Sequence, residues 1–194
     1  MIWFIVLAAY LLGSLSPGSW IAARYQRNLR QVGSGNTGAT NVLRTLGWGP
    51  AVLVALFDGL KGGVAVEAAR LLGGAPLLLA ATALAAVLGH NYSLFLRFRG
   101  GKGVSTTLGA LIFLDPALGS AVLIIALSVM ALTRYVSAGS LTTGISGVLL
   151  AWIGDRPVTE LLVVAVLGGL IFWTHRGNLS RLQSGSERRI GERS

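Results

Sequence analysis

Residues 104–133, VSTTLGALIFLDPALGSAVLIIALSVMALT, form one hydrophobic stretch interrupted at Asp115-Pro116, and the reading of that interruption decides the topology. A continuous stretch makes six membrane crossings and a broken one makes seven. The distribution of basic residues chooses between them, because Lys and Arg accumulate on the cytoplasmic side. Segment 24–49 holds Arg24, Arg27, Arg30 and Arg44, and segment 97–103 holds Arg97, Arg99 and Lys102. Arg134 lies at the next junction, and the tail carries Arg176, Arg181, Arg188, Arg189 and Arg193. The opposite turns, near 73–75, 114–116 and 154–157, contain only Arg156. Seven crossings gather the other basic groups on one, cytoplasmic, face, with the N-terminus outside and the C-terminus inside. The first half of the stretch is then a helix of about 11 residues, or ~16 Å. A helix of half a bilayer starts or ends inside the protein, because unpaired backbone is not tolerated facing lipid.

Working outward, the expected spans are 1–23, 50–72, 76–96, 104–114, 116–133, 135–154 and 158–174, followed by a polar tail, 175–194. Residues 1–23 lack the basic start of a cleaved leader and read as the first span. The whole chain of 194 residues is 53% hydrophobic and only 12% charged, with mean hydropathy +0.70. Soluble domains carry roughly 25% charge, so there is too little polar surface here to coat a water-soluble globule. The 27 glycines lack a collagen period, and membrane helices use glycine for close approach. The sequence predicts a single all-α, polytopic membrane domain.

Several chemistries drop out. With no cysteine there is no disulfide or thiolate catalysis, and with only His90 and His175 a metal site is not expected. The net charge of +9 is distributed as membrane flanks, without a basic helix face or aromatic ladder, so nucleic acid is not an expected partner. No internal repeat supports an inverted-repeat transporter.

Three polar segments on the same face remain. The first is Gly33-Ser-Gly-Asn-Thr-Gly-Ala-Thr-Asn41 with Arg44. Its glycines let successive N–H groups turn toward one anion, and Ser34, Asn36, Thr40 and Asn41 add polar side chains. Arg44 supplies a forked donor suited to phosphate. The second is Gly100-Gly-Lys-Gly103 leading into the helix at Val104, where free N–H groups and Lys102 favour an anion. It is not a nucleotide loop of the Walker type, because Gly103 rather than Ser or Thr follows the lysine. The third follows the last span: His175 can act as a base near neutral pH, and Asn178 lies at helical i+3 spacing from it. Ser140 lies near the inside turn at Arg134, where it could reach the same face or serve as a helix cap. Asp58 and Lys61, at i, i+3 within the second span, can pair with each other. His90 reads as a packing histidine. Composition and spacing describe a site that holds phosphate groups at a lipid boundary.

These segments resemble the bacterial membrane acyl-phosphate:glycerol-3-phosphate acyltransferases of the PlsY family over nearly the whole chain. The family's first motif resembles Gly33–Asn41 with Arg44. Its second resembles Gly89-His90 with Gly100-Gly-Lys-Gly-Val-Ser-Thr106, and its third His175-Arg-Gly-Asn178 through Gly185-Ser-Glu187. Asn91-Tyr-Ser93 stands where the family usually has an aromatic–proline pair.

The resemblance implies transfer of a fatty acyl group from acyl phosphate to the 1-hydroxyl of sn-glycerol 3-phosphate, giving lysophosphatidic acid and phosphate. This is the first acylation of bacterial phospholipid synthesis. No cofactor is implied, and the donor comes from a soluble phosphate acyltransferase. The setting is the bacterial inner membrane, with the site facing the cytoplasm. By resemblance Ser34, Arg44, Lys102, His175 and Asn178 serve catalysis, and Gly33, Gly35, Asn36, Thr40, Asn41, Gly100, Gly101, Gly103 and Ser140 bind substrate or phosphate. Glu187 is structural. Acyl phosphate is an activated anhydride, so the enzyme chiefly brings two anions together and orients a hydroxyl. Direct attack by glycerol 3-phosphate is expected over an acyl-Ser34 intermediate, since Ser34 has no base near it in sequence. The alternative class is an organic-phosphate transporter or lipid-binding membrane protein.

Overall fold

The computed structural model describes residues 2–192, which are helical with no strand among them. Met1, where the first span is expected to begin, and Arg193 of the basic tail lie outside the described residues. In chain order the helices are α1 (Ile2–Ser14), α2 (Pro17–Arg24), α3 (Ala39–Leu46), α4 (Trp48–Leu71) and α5 (Pro76–Asn91). A 3-10 turn at Leu94–Leu96 leads to α6 (Val104–Leu114), α7 (Pro116–Thr133), α8 (Val136–Ile153), α9 (Val158–Thr174) and α10 (Arg176–Gln183).

The break in the deciding stretch falls at Asp115. Its backbone is extended (φ −135°), and Pro116 opens α7. The Asp115 carboxylate accepts from the N–H groups of Ala117 (2.9 Å) and Leu118 (3.0 Å). These are two of the donors a helix start leaves unsatisfied. Arg156 Nε lies 2.8 Å from the other carboxylate oxygen. At the same end the Arg70 guanidinium donates to the carbonyls of Phe113 and Leu114, capping α6 with a cation at its negative end. The turns opposite the polar motifs therefore hold Arg70 as well as the expected Arg156. Both are committed to caps and ion pairs.

By length and composition four helical stretches among the described residues suit a membrane crossing: Ile2–Arg24, Pro76–Leu96, Pro116–Thr133 and Val136–Ile153. A fifth is α9 taken with α10, across a 63° bend. Helix α4 has 24 residues, but its four charges, Asp58, Lys61, Glu67 and Arg70, set it apart from the others.

The expected first span is broken at Leu15-Ser16. Pro17 cannot donate an N–H and its ring excludes the preceding helix. Ser16 starts α2 instead, accepting from the Ser19 N–H through its hydroxyl (3.4 Å). The carbonyl of Leu15, which a continuous helix pairs with Ser19, is left open. Lys61 Nζ takes it up at 2.7 Å.

Lipid is as apolar as leucine, so helices in a bilayer associate through close packing rather than the hydrophobic effect. Helix α6 shows this against α4, where Gly59 and Gly62 face Gly109 and Thr106. A Cβ on Gly62 would strike the Thr106 carbonyl, and one on Gly109 the Gly59 carbonyl. The packed interior continues through Leu111, Leu118, Val122, Val164 and Leu167.

The other end of the bundle gathers the polar loops. Arg30 donates to the carbonyls of Leu96 (2.9 Å) and Arg99 (2.7 Å), tying the first loop to the second. The tail is pinned to the α7–α8 turn, with Ile190 N–H on the Arg134 carbonyl (2.8 Å) and Arg134 returning to the Ile190 carbonyl (3.1 Å).

Candidate active site

The first loop is built around Asn41, which is 1% exposed at the start of α3. Its Oδ1 accepts from the Ser34 N–H (2.8 Å), while its Nδ2 faces the carbonyls of Leu29 (3.0 Å), Val32 (3.1 Å) and Asn36 (2.8 Å). Asn41 thus holds the loop's own backbone rather than facing an anion, as the sequence led one to expect. One side chain carries both donors and an acceptor, so it can clamp a loop whose carbonyls and N–H groups have no ladder to join. Gly33 and Gly35 adopt φ of +60° and +70°, which turn the chain around that clamp. Asn36 Oδ1 accepts from the Gly38 N–H (2.8 Å) and closes the turn before α3. Ser34 is exposed, and its hydroxyl has no hydrogen-bond partner among the described residues.

The second loop departs from expectation in the same manner. The N–H of Gly100 donates to the Asn91 carbonyl (3.0 Å) and that of Gly101 to the His90 carbonyl (2.9 Å). These two groups are therefore not free for phosphate. A Cβ at Gly100 would strike the His90 carbonyl and one at Gly101 the His90 ring, so their role here is close packing. Gly103 (φ +83°) caps α6. The first-turn N–H groups at Val104, Ser105 and Thr106 have no partner among the described residues and remain a positive helix start.

The third motif completes the arrangement. Lys102 Nζ donates to Asn178 Oδ1. Asn178 Nδ2 donates to Glu187 Oε1 (2.7 Å), and Arg181 Nε donates to Glu187 Oε2 (2.8 Å). Burial alone would raise the Glu187 carboxyl, but hydrogen bonds from Asn178 and Arg181 and the charge of Arg181 outweigh it and hold it below its usual range. Arg181 was not singled out in the sequence, although its i+3 spacing from Asn178 on α10 places both on one face. Thr174, also missed, sets its hydroxyl 3.1 Å from the Lys102 carbonyl.

Burial, and then the charge of Arg181, bring the Lys102 ammonium down to about 8. Burial, with Arg188 and Arg181 adding to it, also holds Arg44 below its ordinary value against the pull of Glu187. Arg44, Lys102, Arg181 and Arg188 outnumber the carboxylates that act on them, Glu187 and, for Arg44, Glu192, and this excess of cations matches an anion. An open groove of about 520 Å3 runs beside Arg44, lined by Thr40, Thr45, Trp48, Arg188, Arg189 and Glu192.

His175 is 4% exposed. Its Nδ1 lies 2.9 Å from the Ile171 carbonyl, which places the ring proton on Nδ1 and leaves Nε2 as an acceptor. Burial, helped by the charge of Lys102, lowers its pKa to about 4. At neutral pH His175 is an uncharged imidazole beside a cationic cluster. Ser140 is buried, and its hydroxyl donates to the Val136 carbonyl (2.9 Å) within α8. His90 does more than pack: its Nδ1 lies 2.9 Å from Lys61 Nζ, which in turn sits 2.7 Å from Asp58.

A family model described as glycerol-3-phosphate acyltransferase matches residues 3–185. The chain belongs to that family. Among its members, the glycerol-3-phosphate acyltransferase of Thermus thermophilus is 57% identical over 192 residues, covering 99% of this chain and 96% of that protein. Glycerol-3-phosphate acyltransferase 1 of Deinococcus radiodurans is 47% identical, covering 97% and 95%. The crystal structure of PlsY, an integral membrane glycerol 3-phosphate acyltransferase, in its glycerol 3-phosphate form superposes with a TM-score of 0.94. It shares 42% identity over 98% of this chain and 96% of that one. Its lysophosphatidic acid form gives 0.91 at 41% identity, covering 98% and 95%. Family membership thus joins the helical architecture to an integral membrane acyltransferase.

Proposed function

We propose that the chain transfers a fatty acyl group from acyl phosphate to the 1-hydroxyl of sn-glycerol 3-phosphate, releasing lysophosphatidic acid and inorganic phosphate. The observation that carries this reading is the convergence of Arg44, Lys102 and Arg181 on the Asn178–Glu187 pair, beside an uncharged His175. Two anionic substrates repel each other, and a preorganised cluster of cations offsets that repulsion where phosphate charge develops. Ser34, Thr40 and the open first turn of α6 add donors at its edge.

In the reaction the hydroxyl oxygen attacks the acyl carbonyl carbon, and the tetrahedral intermediate collapses by breaking the bond to the phosphate oxygen. The electron pair leaves with phosphate. His175 at about 4 is a weaker base than a phosphate monoester, whose second pKa is ~6. His175 Nε2 therefore orients the hydroxyl, and the proton passes to the substrate's phosphate. The unpartnered Ser34 hydroxyl supports direct attack over an acyl-enzyme.

The same reading takes the seven crossings as Ile2–Arg24, α4, Pro76–Leu96, α6, α7, α8 and α9. The N-terminus is outside and the site faces the cytoplasm of a bacterial inner membrane, where a soluble phosphate acyltransferase supplies the donor. Alternation of the loops supports this, since residues 25–38, 92–103, 134 and 175–192 meet at one end and Arg70, Asp115 and Arg156 at the other.

The test is phosphate release by the purified protein in lipid mesophase, given palmitoyl phosphate with and without glycerol 3-phosphate. Release that requires glycerol 3-phosphate, with lysophosphatidic acid forming one-for-one, is the expected result. Release without acceptor indicates hydrolysis or an acyl-enzyme, and binding without release indicates transport. Because the chain has no cysteine, single cysteines at Asp155 and Ser186 report the topology: an impermeant thiol reagent should label only the first from outside.

A further inference from the structure

An ionic cluster lies inside the bundle, apart from the groups assigned above to catalysis. Asp58 and Lys61 on α4 are 3% and 6% exposed, and His90 near the end of α5 is 8% exposed. An ammonium has three N–H donors, and three groups surround this one: the Leu15 carbonyl at 2.7 Å and His90 Nδ1 at 2.9 Å as hydrogen-bond partners, and Asp58 Oδ1 at 2.7 Å as its ion-pair partner. The first is open only because Pro17 and Ser16 break the helix there. With Nδ1 accepting, the imidazole proton resides on Nε2, and Nε2 is the atom a Cβ at Gly101 would meet first.

The cluster thus leads to the second glycine turn. The His90 ring is the plate on which Gly101 rests, and the His90 and Asn91 carbonyls accept from Gly101 and Gly100. The next residue is Lys102, whose ammonium reaches Asn178. Charged groups inside a membrane helix are costly and most often functional. Packed apolar side chains at 58 and 61 would hold the helices at least as well, so helix association alone does not account for the cluster.

We infer that Lys61, anchored by Asp58, is a positioning residue: through the His90 ring it sets the seat of the Gly100-Gly101 turn and so the reach of Lys102 toward the phosphate of glycerol 3-phosphate. The inference rests on the acyltransferase reading. It explains why the glycines of this turn pack on His90 instead of offering their N–H groups to an anion.

The experiment compares the wild-type chain with two variants. Asp58→Asn with Lys61→Met removes both charges and leaves neither unpaired, so the chain should still fold, with thermal stability lowered only by the lost donor to the Leu15 carbonyl. His90→Gln keeps both charges and an acceptor for Lys61 but removes the ring beneath Gly101. In each folded variant kcat/KM for glycerol 3-phosphate should fall about tenfold to a hundredfold, the scale of a ~1 Å misplacement, while the KM for palmitoyl phosphate is unchanged. Calorimetric affinity for glycerol 3-phosphate should fall in parallel. Wild-type constants in either folded variant, or losses spread equally over both substrates, overturn the inference, and His90→Gln decides it if the double variant does not fold. If the wild type binds glycerol 3-phosphate yet releases no phosphate, the acyltransferase reading falls, and the affinity comparison still decides the role of Lys61.

Discussion

Lys102 donates to Asn178 across a sequence separation of 76 residues, joining the second glycine turn to the helix after the last span. Asn178 passes the contact to Glu187, so the positive head of Lys102 is held by an amide whose other end is fixed on a carboxylate. An asparagine suits this place because it accepts from an ammonium and donates to a carboxylate at once.

Replacing Asn178 by alanine should therefore free Lys102 and leave Glu187 short of a donor. Hydrogen bonds to charged groups contribute about 1.5–3 kcal/mol, which corresponds to roughly 10- to 100-fold in kcat/KM. Acceptor-dependent phosphate release measures it. Asn178→Asp should do more harm than alanine, because it sets a second carboxylate against Glu187.

Lys102 is protonated below about 8 and uncharged above it. The kcat/KM for glycerol 3-phosphate, which reports the free enzyme, should fall as pH rises through about 8. Lys102→Arg keeps its charge well beyond that range and should move the basic limb upward, whatever its absolute rate. A limb unchanged in the arginine variant would assign it to another group.

His175 behaves oppositely to an exposed histidine. Its pKa falls from 6.5 in the unfolded chain to about 4 in the folded one, so between those values the unfolded state binds the extra proton. Stability then rises with pH across that window and is lost as pH falls from 6.5 toward 4. His175→Gln should flatten the dependence of Tm on pH over pH 4–6.5, while an acid limb of activity at ~6, set by the substrate's phosphate, should stay in place in the variant.

The Asn41 clamp predicts a local effect. Asn41→Ala removes hydrogen bonds to four backbone groups of residues 29–36, and a buried group left unpaired costs about 1–3 kcal/mol. Proteolysis within 29–38 should accelerate. Asn41→Asp should be worse, because a carboxylate then faces the carbonyls of Leu29, Val32 and Asn36.

At the far end of the bundle, Asp115→Ala removes the α7 cap and the partner of Arg156. It should cost about 0.5–2 kcal/mol, the value of a helix cap, and lower Tm. The KM for glycerol 3-phosphate should not move, because no group of the site touches that turn.

The helices were legible where the local code is strong. Asp115-Pro116 ends one helix and starts another because proline lacks a donor and aspartate caps, whatever surrounds them. The break at Ser16-Pro17 uses the same chemistry yet was missed, since an uncharged run of spanning length conceals a single proline. Helix α10 was hidden for the opposite reason: a polar tail gives no hydrophobic period to read, and only the i, i+3 spacing of His175 and Asn178 pointed to a helix there.

By itself the sequence determined a helical membrane chain, the principal breaks in it, the family, and the three polar segments that carry the chemistry. Those follow from composition, from proline and capping groups, and from motif order, all local properties of the chain. The partners of each polar group were decided by tertiary structure alone. That Asn41 holds a loop, that Gly100 and Gly101 rest on His90, and that Lys102 reaches Asn178 depend on groups far apart in sequence. The physical reason is that a buried donor must find an acceptor, and which acceptor is near is fixed only once the helices have packed.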